Sequence, residues 1–521
     1  MRNTELTLGV IPGRGADGWH RVLQQEAIPY RDVEGPDAPV VLSAGAPPPW
    51  AESFVTGGGT LVMSGATGLP FGLTSAGQYV ISGFRTPETG RPCAAPTLVE
   101  MYPGAGEGQM RHHEDRVIKY ESDPGVFPVV LTARRGRGLL VYTGVPLTDL
   151  LMAQGDRLRT FSEFTEVTER VSSVDKAEVA DTLRHMVRRA VTGSGLPYVG
   201  LVHYPNGAAS VFILRVDVDG AYGLRTQNLL DAAASSRIAA SFFINADLCQ
   251  QFPGLPSSWP EHVEVGQHAY SHTLFDDVQK NLTNLSRAQN WVERETGRRI
   301  SSFVAPRGMW NEHLASALAS IGYRYSGDFG LDFDSLPFRA HAGILQVPVH
   351  PYSSERAQRW ADEHGVPAPT TEQTRDYFLA VMQRQLTLGR PMLLYGHPEV
   401  FGQQAASVVP EMALFARAHS APSMTLGAFA DFWASRERVR VRATVERDGN
   451  RLVIDAEPTL PVQVHTDNPL EVLWGKDRLL LPAGQHRLVR ETDGLHTLGR
   501  DADPAPATNN HTLNNTRSTN V

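Results

Sequence analysis

The chain has 521 residues, 41% hydrophobic and 20% charged, with 48 Lys plus Arg against 56 Asp plus Glu and a formal net charge of -8. That length exceeds one ordinary hydrophobic core and predicts about three domains. The acidic balance, unbroken by any basic tract, speaks against nucleic acid as the main partner. Two cysteines, Cys93 and Cys249, are too few for a disulfide scaffold or a thiolate metal site.

The first ten residues lack the apolar core of a signal peptide, and no apolar run is long enough to span a bilayer. A cytoplasmic protein is therefore the expectation. Residues 1–195 are expected to form a small open α/β sheet domain, with strands at 39–43 and 60–64, a short helix at 51–56, and a further glycine-flanked strand within 136–144. The glycines at 57–59 end a helix and feed a strand, so they read as a left-handed stop. A phosphate-binding loop would instead open a long helix and carry a Lys-Ser/Thr pair. A helix at 174–191 leads through a Gly/Pro-rich joint into a second domain, 196–435, where strands and helices alternate. Strands are expected at 211–218, 239–244, 302–305, 345–349 and 391–395, with helices at 224–235, 281–296, 312–320 and 371–386. That rhythm predicts a parallel (β/α) barrel. From 436 the period changes to two, with a turn at Asp448-Gly449, predicting a small β-sandwich-like module over 436–500. Trp474 and His486 are its candidate glycan contacts, although a structural cap on the barrel is the simpler role. Residues 501–521 carry almost nothing apolar and are expected to be a disordered tail.

The chemistry centres on Arg215-Val216-Asp217-Val218-Asp219-Gly220, where a buried-looking strand runs into two acids. His268 and His272 are four apart; on a helical turn the two imidazoles would share one face. Alone they read more readily as incidental surface histidines than as ligands. Asp219 at the strand end would complete a His₂-carboxylate set that suits Zn²⁺, with Co²⁺, Ni²⁺ or Fe²⁺ as alternatives. With Val218 between them, Asp217 and Asp219 point to one face of an extended segment. Asp217 then reads as a general base, against the plainer reading of a helix cap or a solvated acid. His397 follows an apolar strand and precedes Pro398; it is either a proton donor or an incidental loop histidine.

Residues 211–434 resemble the polysaccharide deacetylase superfamily, of NodB-homology and carbohydrate esterase type 4 kind. The resemblance rests on five stretches in family order: Arg215 to Gly220, Ile238 to Ile244, Gly266-Gln267-His268-Ala269-Tyr270-Ser271-His272, Phe303-Val304-Ala305-Pro306-Arg307-Gly308, and Leu393-Leu394-Tyr395-Gly396-His397. It implies a distorted (β/α) barrel that removes acyl groups from sugars. By the same resemblance Asp217 is the base, Asp219, His268 and His272 are metal ligands, and His397 is the acid. Ser271 is implied to brace the loop. The family's arginine before the Ala-Pro pair, which holds the catalytic carboxylate, is replaced by Val304. Arg307 is expected either to reach Asp217 from the other side or to line the substrate groove. Among Asp328, Asp332 and Asp334, Asp328 is the expected partner that orients His397, and His350 is an extra histidine near the rim.

Residues 35–150 resemble, weakly, a class I glutamine amidotransferase-like domain through the 54–62 glycine stretch and the late glycine-flanked strand. No cysteine sits on a strand-to-helix elbow, Cys93 being in a loop-like setting, so that domain is expected to be non-catalytic. The combined expectation is a metal-dependent hydrolase that deacetylates an N-acetylated sugar or glycan. Hydrolysis of a cyclic amide or ureide, and a glycan-binding protein without turnover, are the alternatives.

Overall fold

In the computed structural model the described residues are 4–65, 130–161, 168–220, 223–250, 259–260, 262–439, 441–446, 451–455, 460–491 and 494–498, with isolated strand segments between 77 and 128. The 501–521 tail, the Asp448-Gly449 turn and the side chain of Cys93 lie outside them.

The chain's first layer is a six-stranded sheet in the order Leu131–Arg135, Gly138–Thr143, Thr60–Ser64, Val40–Ala44, Leu8–Val10, Tyr30–Asp32. Its inner strands are apolar at consecutive positions because both faces are covered. Helices Ala16–Glu26 and Lys176–Gly193 bury Trp19, Leu23, Leu183 and Met186 on one face, and Ala51–Thr56 packs Val55 on the other. The pattern marks no element between 1 and 38, where three short strands and a three-turn helix stand. That helix contains Asp17, His20, Arg21 and a glycine, which hide its apolar stripe.

The central sheet has eight strands, in the order Phe338–Arg339, Leu345–Gln346, Tyr325–Ser326, Ser302–Phe303, Glu264–Gln267, Ala240–Ile244, Phe212–Val218, Met392–Gly396. All neighbours are parallel except the edge strand Phe338–Arg339. The two edge strands do not pair with each other, so the sheet curls into a half-barrel rather than closing. Strand Phe212–Val218 is buried on both sides, and its residues alternate. Phe212, Leu214, Val216 and Val218 face the helices Gly223–Ser235 and Phe401–Ala418, while Ile213 joins Phe243, Val304 and Tyr395 in the concave interior. With a period of two, Arg215 and Asp217 share that interior face. The strand expected at 345–349 is only Leu345–Gln346.

Two further sheets share one core, where Ala443, Val445, Leu452, Ile454, Val464, Val472 and Leu488 meet, and so form a sandwich. Residues 436–500 do not build it alone. Thr4–Glu5 pairs with Arg442–Val445, and Tyr198–Leu201 pairs with Val462–Thr466. Trp474 is 1% exposed in this core, which removes it as a glycan contact.

The first sheet's helices and the sandwich meet at Glu26. Its carboxylate accepts hydrogen bonds from Tyr198 (2.7 Å), His203 (2.9 Å) and Gln463 (2.9 Å) and pairs with Arg184 at 3.1 Å. Burial pushes the Glu26 pKa up, but His203, Arg184 and Tyr198 together hold it well below the carboxylate range. Removing one partner of such a buried cluster costs about 3 to 5 kcal/mol, so Glu26→Ala should lower the unfolding midpoint at pH 7. Because the folded pKa is depressed, this contribution is complete above the unfolded value of about 4.3 and drains away as the pH falls through the folded one. The gap in Tm between wild type and variant, measured by calorimetry, should therefore narrow below about pH 4; a gap independent of pH would dismiss the ionised-cluster account.

Candidate active site

Strand Phe212–Val218 delivers Asp217 to the floor of a cavity of about 750 Å³ at the C-terminal end of the half-barrel. Asp217 is 2% exposed. An isolated carboxylate there would take up a proton. Arg215, two residues earlier on the same face, prevents this: its Nε donates to Asp217 Oδ1 at 2.6 Å and its Nη2 to Oδ2. Its remaining Nη1 donates to the carbonyl of Gly327, and Tyr395 lies under the guanidinium at 5.1 Å. Burial raises the Asp217 pKa, but Arg215 first, then His268 and His397, outweigh it and leave the group below its ordinary value.

Arg307 is therefore not the partner of Asp217. It sits in the turn Pro306–Gly308 with φ of 59°, its side chain exposed on the cavity wall. Val304 is buried, and its carbonyl accepts the Nδ1–H of His268 at 2.9 Å. The positive charge sought on the Val304–Gly308 segment comes instead from the strand that carries Asp217 itself. The signal is present in the alternation Ile213, Arg215, Asp217, but a charged residue inside an apolar run does not by itself name its partner.

His268 and His272 do not lie on a helix. They flank a loop after Glu264–Gln267 in which Ala269 takes φ of 60°, a left-handed conformation that reverses the chain. Ser271 holds this loop by donating from its N–H (2.8 Å) and hydroxyl (3.0 Å) to Asn284. His268 Nε2 and His272 Nε2 are 3.2 Å apart, and Asp219 Oδ2 is 3.2 Å from the latter. One donor atom from each of Asp219, His268 and His272 lies within 4.8 Å of the others, a cluster that could hold a metal ion. The donor set fits such an ion. His268 gives its Nδ1 proton to a carbonyl, which leaves Nε2 as a lone pair. Asp219 Oδ1 is buried without a hydrogen bond, an acceptor that a cation in the cluster would satisfy. Burial also lowers the pKa of His268, favouring the neutral, ligating form.

His397 borders the same cavity, its Nε2 at 3.6 Å from Asp219 Oδ2. Asp328 does not orient it. Asp328 is buried elsewhere, accepting from Ala305 N–H at 2.7 Å and Ser326 hydroxyl at 2.5 Å, and burial pushes it up to about 6. Glu355 takes the orienting role: its Oε2 is 3.1 Å from His397 Nδ1, and its Oε1 accepts the backbone N–H of His397 and of Phe401, both at 2.9 Å. Burial alone would lower the His397 pKa, but Glu355, then Asp219 and Asp217, push it up to about 9. Glu355 opens the helix Ser354–His364 and lies on a segment with no strand signal, so sequence reasoning passes over it. His350 is also away from the cavity, held between Asp334 at 3.0 Å and Tyr377 at 2.8 Å.

One wall comes from outside the half-barrel. A hairpin of Asp156–Thr160 and Thr168–Ser172, unmarked in the sequence pattern, sets Leu158, Glu169 and Arg170 against the cavity. Glu169 pairs with Arg356 at 2.9 Å, and burial pushes it up to about 7. The range 1–195, expected to be non-catalytic, thus supplies part of the site's lining.

Residues 210–326 match the family model described as polysaccharide deacetylase. No curated protein matches the chain. Among solved structures, it is similar to a protein of Mycobacterium smegmatis assigned to the polysaccharide deacetylases (17% identity, 46% of this chain and 94% of that one, TM-score 0.39). It is similar to Agd3, described as a novel carbohydrate deacetylase (10% identity, 93% and 98%, TM-score 0.43). It is similar also to BA3943 of Bacillus anthracis, a carbohydrate esterase family 4 pseudoenzyme (15% identity, 44% and 67%, TM-score 0.31). The matched range holds Asp217, Asp219, His268, His272 and Arg307; Glu355 and His397 lie beyond it. Residues 210–326 of this chain belong to the polysaccharide deacetylase family, of the NodB-homology and carbohydrate esterase 4 kind.

Proposed function

We propose that the chain is a metal-dependent hydrolase releasing acetate from an N-acetylated amino sugar of a glycan. The observation that carries this reading is the pairing of opposite protonation states across one cavity. Asp217 is kept ionised by Arg215, and His397 is kept protonated by Glu355, on either side of the Asp219, His268 and His272 cluster. A divalent cation in that cluster, Zn²⁺ by the chemistry of its donors, would polarise the amide carbonyl and acidify water. Asp217 accepts the proton of the attacking water, and Arg215 keeps both carboxylate oxygens fixed for that transfer. His397 gives its Nε2 proton to the departing nitrogen, while Glu355 keeps the imidazole oriented through Nδ1. The support that Val304 cannot give the base comes from Arg215, which favours turnover over a binding-only role.

Acetate release from N-acetylated oligosaccharides, run beside ureide hydrolysis and direct binding, tests the reading. Acetate from the sugars supports it; hydrolysis of the ureide alone, or binding with no hydrolysis, would replace it. His268→Ala should also lose most of its metal by elemental analysis while the fold persists, and equal stoichiometric metal in both proteins would take His268 out of the site. Arg215→Met should lower kcat/KM by on the order of 100-fold, the scale of a general base, with Arg215→Lys recovering part of it. A folded Arg215→Met protein with wild-type kcat/KM would end the base-holding role. Glu355→Gln removes the charge that raises His397. In the metal-free full chain, the His397 titration followed by NMR should move from about 9 to lower pH; an unmoved midpoint would assign the shift to other groups.

A further inference from the structure

The cavity wall above the proposed chemistry is rich in guanidinium groups. Arg170, Arg307, Arg356 and Arg359 line it, with no lysine, in a chain whose net charge is -8. The acids of the cavity are mostly committed: Asp217 to Arg215, Asp219 to the histidines, Glu355 to His397 and Glu169 to Arg356. Glu399 is the remaining acid of the lining, and Arg170 pairs with Asp156 at 2.7 Å. Arg307 and Arg359 have no side-chain partner among the described residues and are exposed at the cavity. Arg307 is itself the left-handed residue between Pro306 and Gly308, a backbone state that a bulky side chain seldom adopts. Beside the arginines, Leu158, Leu248 and Met309 expose apolar surface at 58%, 36% and 37%, suited to the C–H faces of sugar rings.

Resting on the deacetylase reading, we propose that the glycan is acidic: a sugar bearing an oxyanion adjoins the N-acetylated one, and Arg307 and Arg359 bind that oxyanion. Guanidinium forks match the geometry of carboxylate, sulfate and phosphate groups alike. A neutral polymer would leave both arginines without a counter-charge when the cavity fills. The hairpin that carries Leu158 and Arg170 then acts as the wall against which the acidic chain lies.

The test uses the full chain as purified. Binding and acetate release are measured with a hyaluronan tetrasaccharide, which alternates N-acetylglucosamine with glucuronate, and with the neutral chitin tetrasaccharide. N-acetylglucosamine 6-phosphate against N-acetylglucosamine forms the phosphate arm. One of the two acidic probes should bind at least about tenfold tighter than its neutral counterpart, with a preference that weakens as salt is raised. The arm that responds identifies the oxyanion. Arg307→Gln with Arg359→Gln should abolish the preference without lowering Tm. Equal binding of acidic and neutral probes, no binding of either, or a preference that survives the double substitution overturns the proposal. Acetate released from chitin oligosaccharide with no advantage for hyaluronan ends the acidic-substrate inference and keeps the deacetylase. A preference that depends on the arginines, without acetate from any probe, does the reverse.

Discussion

The pair formed by Arg215 and Asp217 governs the site. A guanidinium with no exposed surface stands inside an otherwise apolar sheet, a placement that costs several kcal/mol unless every donor is used. Here the donors go to both carboxylate oxygens and to the carbonyl of Gly327, which ties the central strand to the segment after Tyr325–Ser326. The pair therefore fixes a protonation state and a distance across the interior at once. Its burial is repaid because Asp217 cannot leave its partner without stranding two charges.

The arrangement around it follows from strand periodicity. Alternation puts the apolar residues of Phe212–Val218 against the helices and the two charged ones inside, facing Val304, Phe329 and Tyr395. The carboxyl ends of parallel strands then bring the histidine loop, the Pro306–Gly308 turn and His397 to the same rim, where α/β sheets carry their ligands. Glu355 completes the set from a helix N-terminus, its carboxylate filled by backbone N–H groups as well as by the imidazole. Asp217 and His397 thus each have their own fixed counter-charge.

Much of this was legible in the residues. The apolar run into Asp217 and Asp219, the His268 and His272 spacing and the strand before His397 are local signals, and the half-barrel gathers all five side chains. The missed groups act across long separations. Glu355 reaches His397 over 42 residues, and the hairpin wall lies outside the alternating region altogether. Arg215 was hidden for another reason: its partner is only two residues away, but only the inward turn of both side chains shows that they touch. For Arg307 the motif leaves two roles open, partner of Asp217 or lining of the groove, and its place on the cavity wall is the second.

The sandwich that closes the fold has a consequence for how the chain is made. Thr4 pairs with Val445, and Tyr198 with His465, so the earliest strand waits for nearly the latest one. Such pairing across great sequence distance raises contact order and slows folding. During synthesis the central half-barrel, whose last strand Met392–Gly396 precedes Arg442–Val445 and Val462–Thr466, is able to form while Thr4–Glu5 and Tyr198–Leu201 still lack their partners. Those two strands lack their pairing edges in that interval, which leaves the nascent chain more open to edge-to-edge pairing than the finished protein.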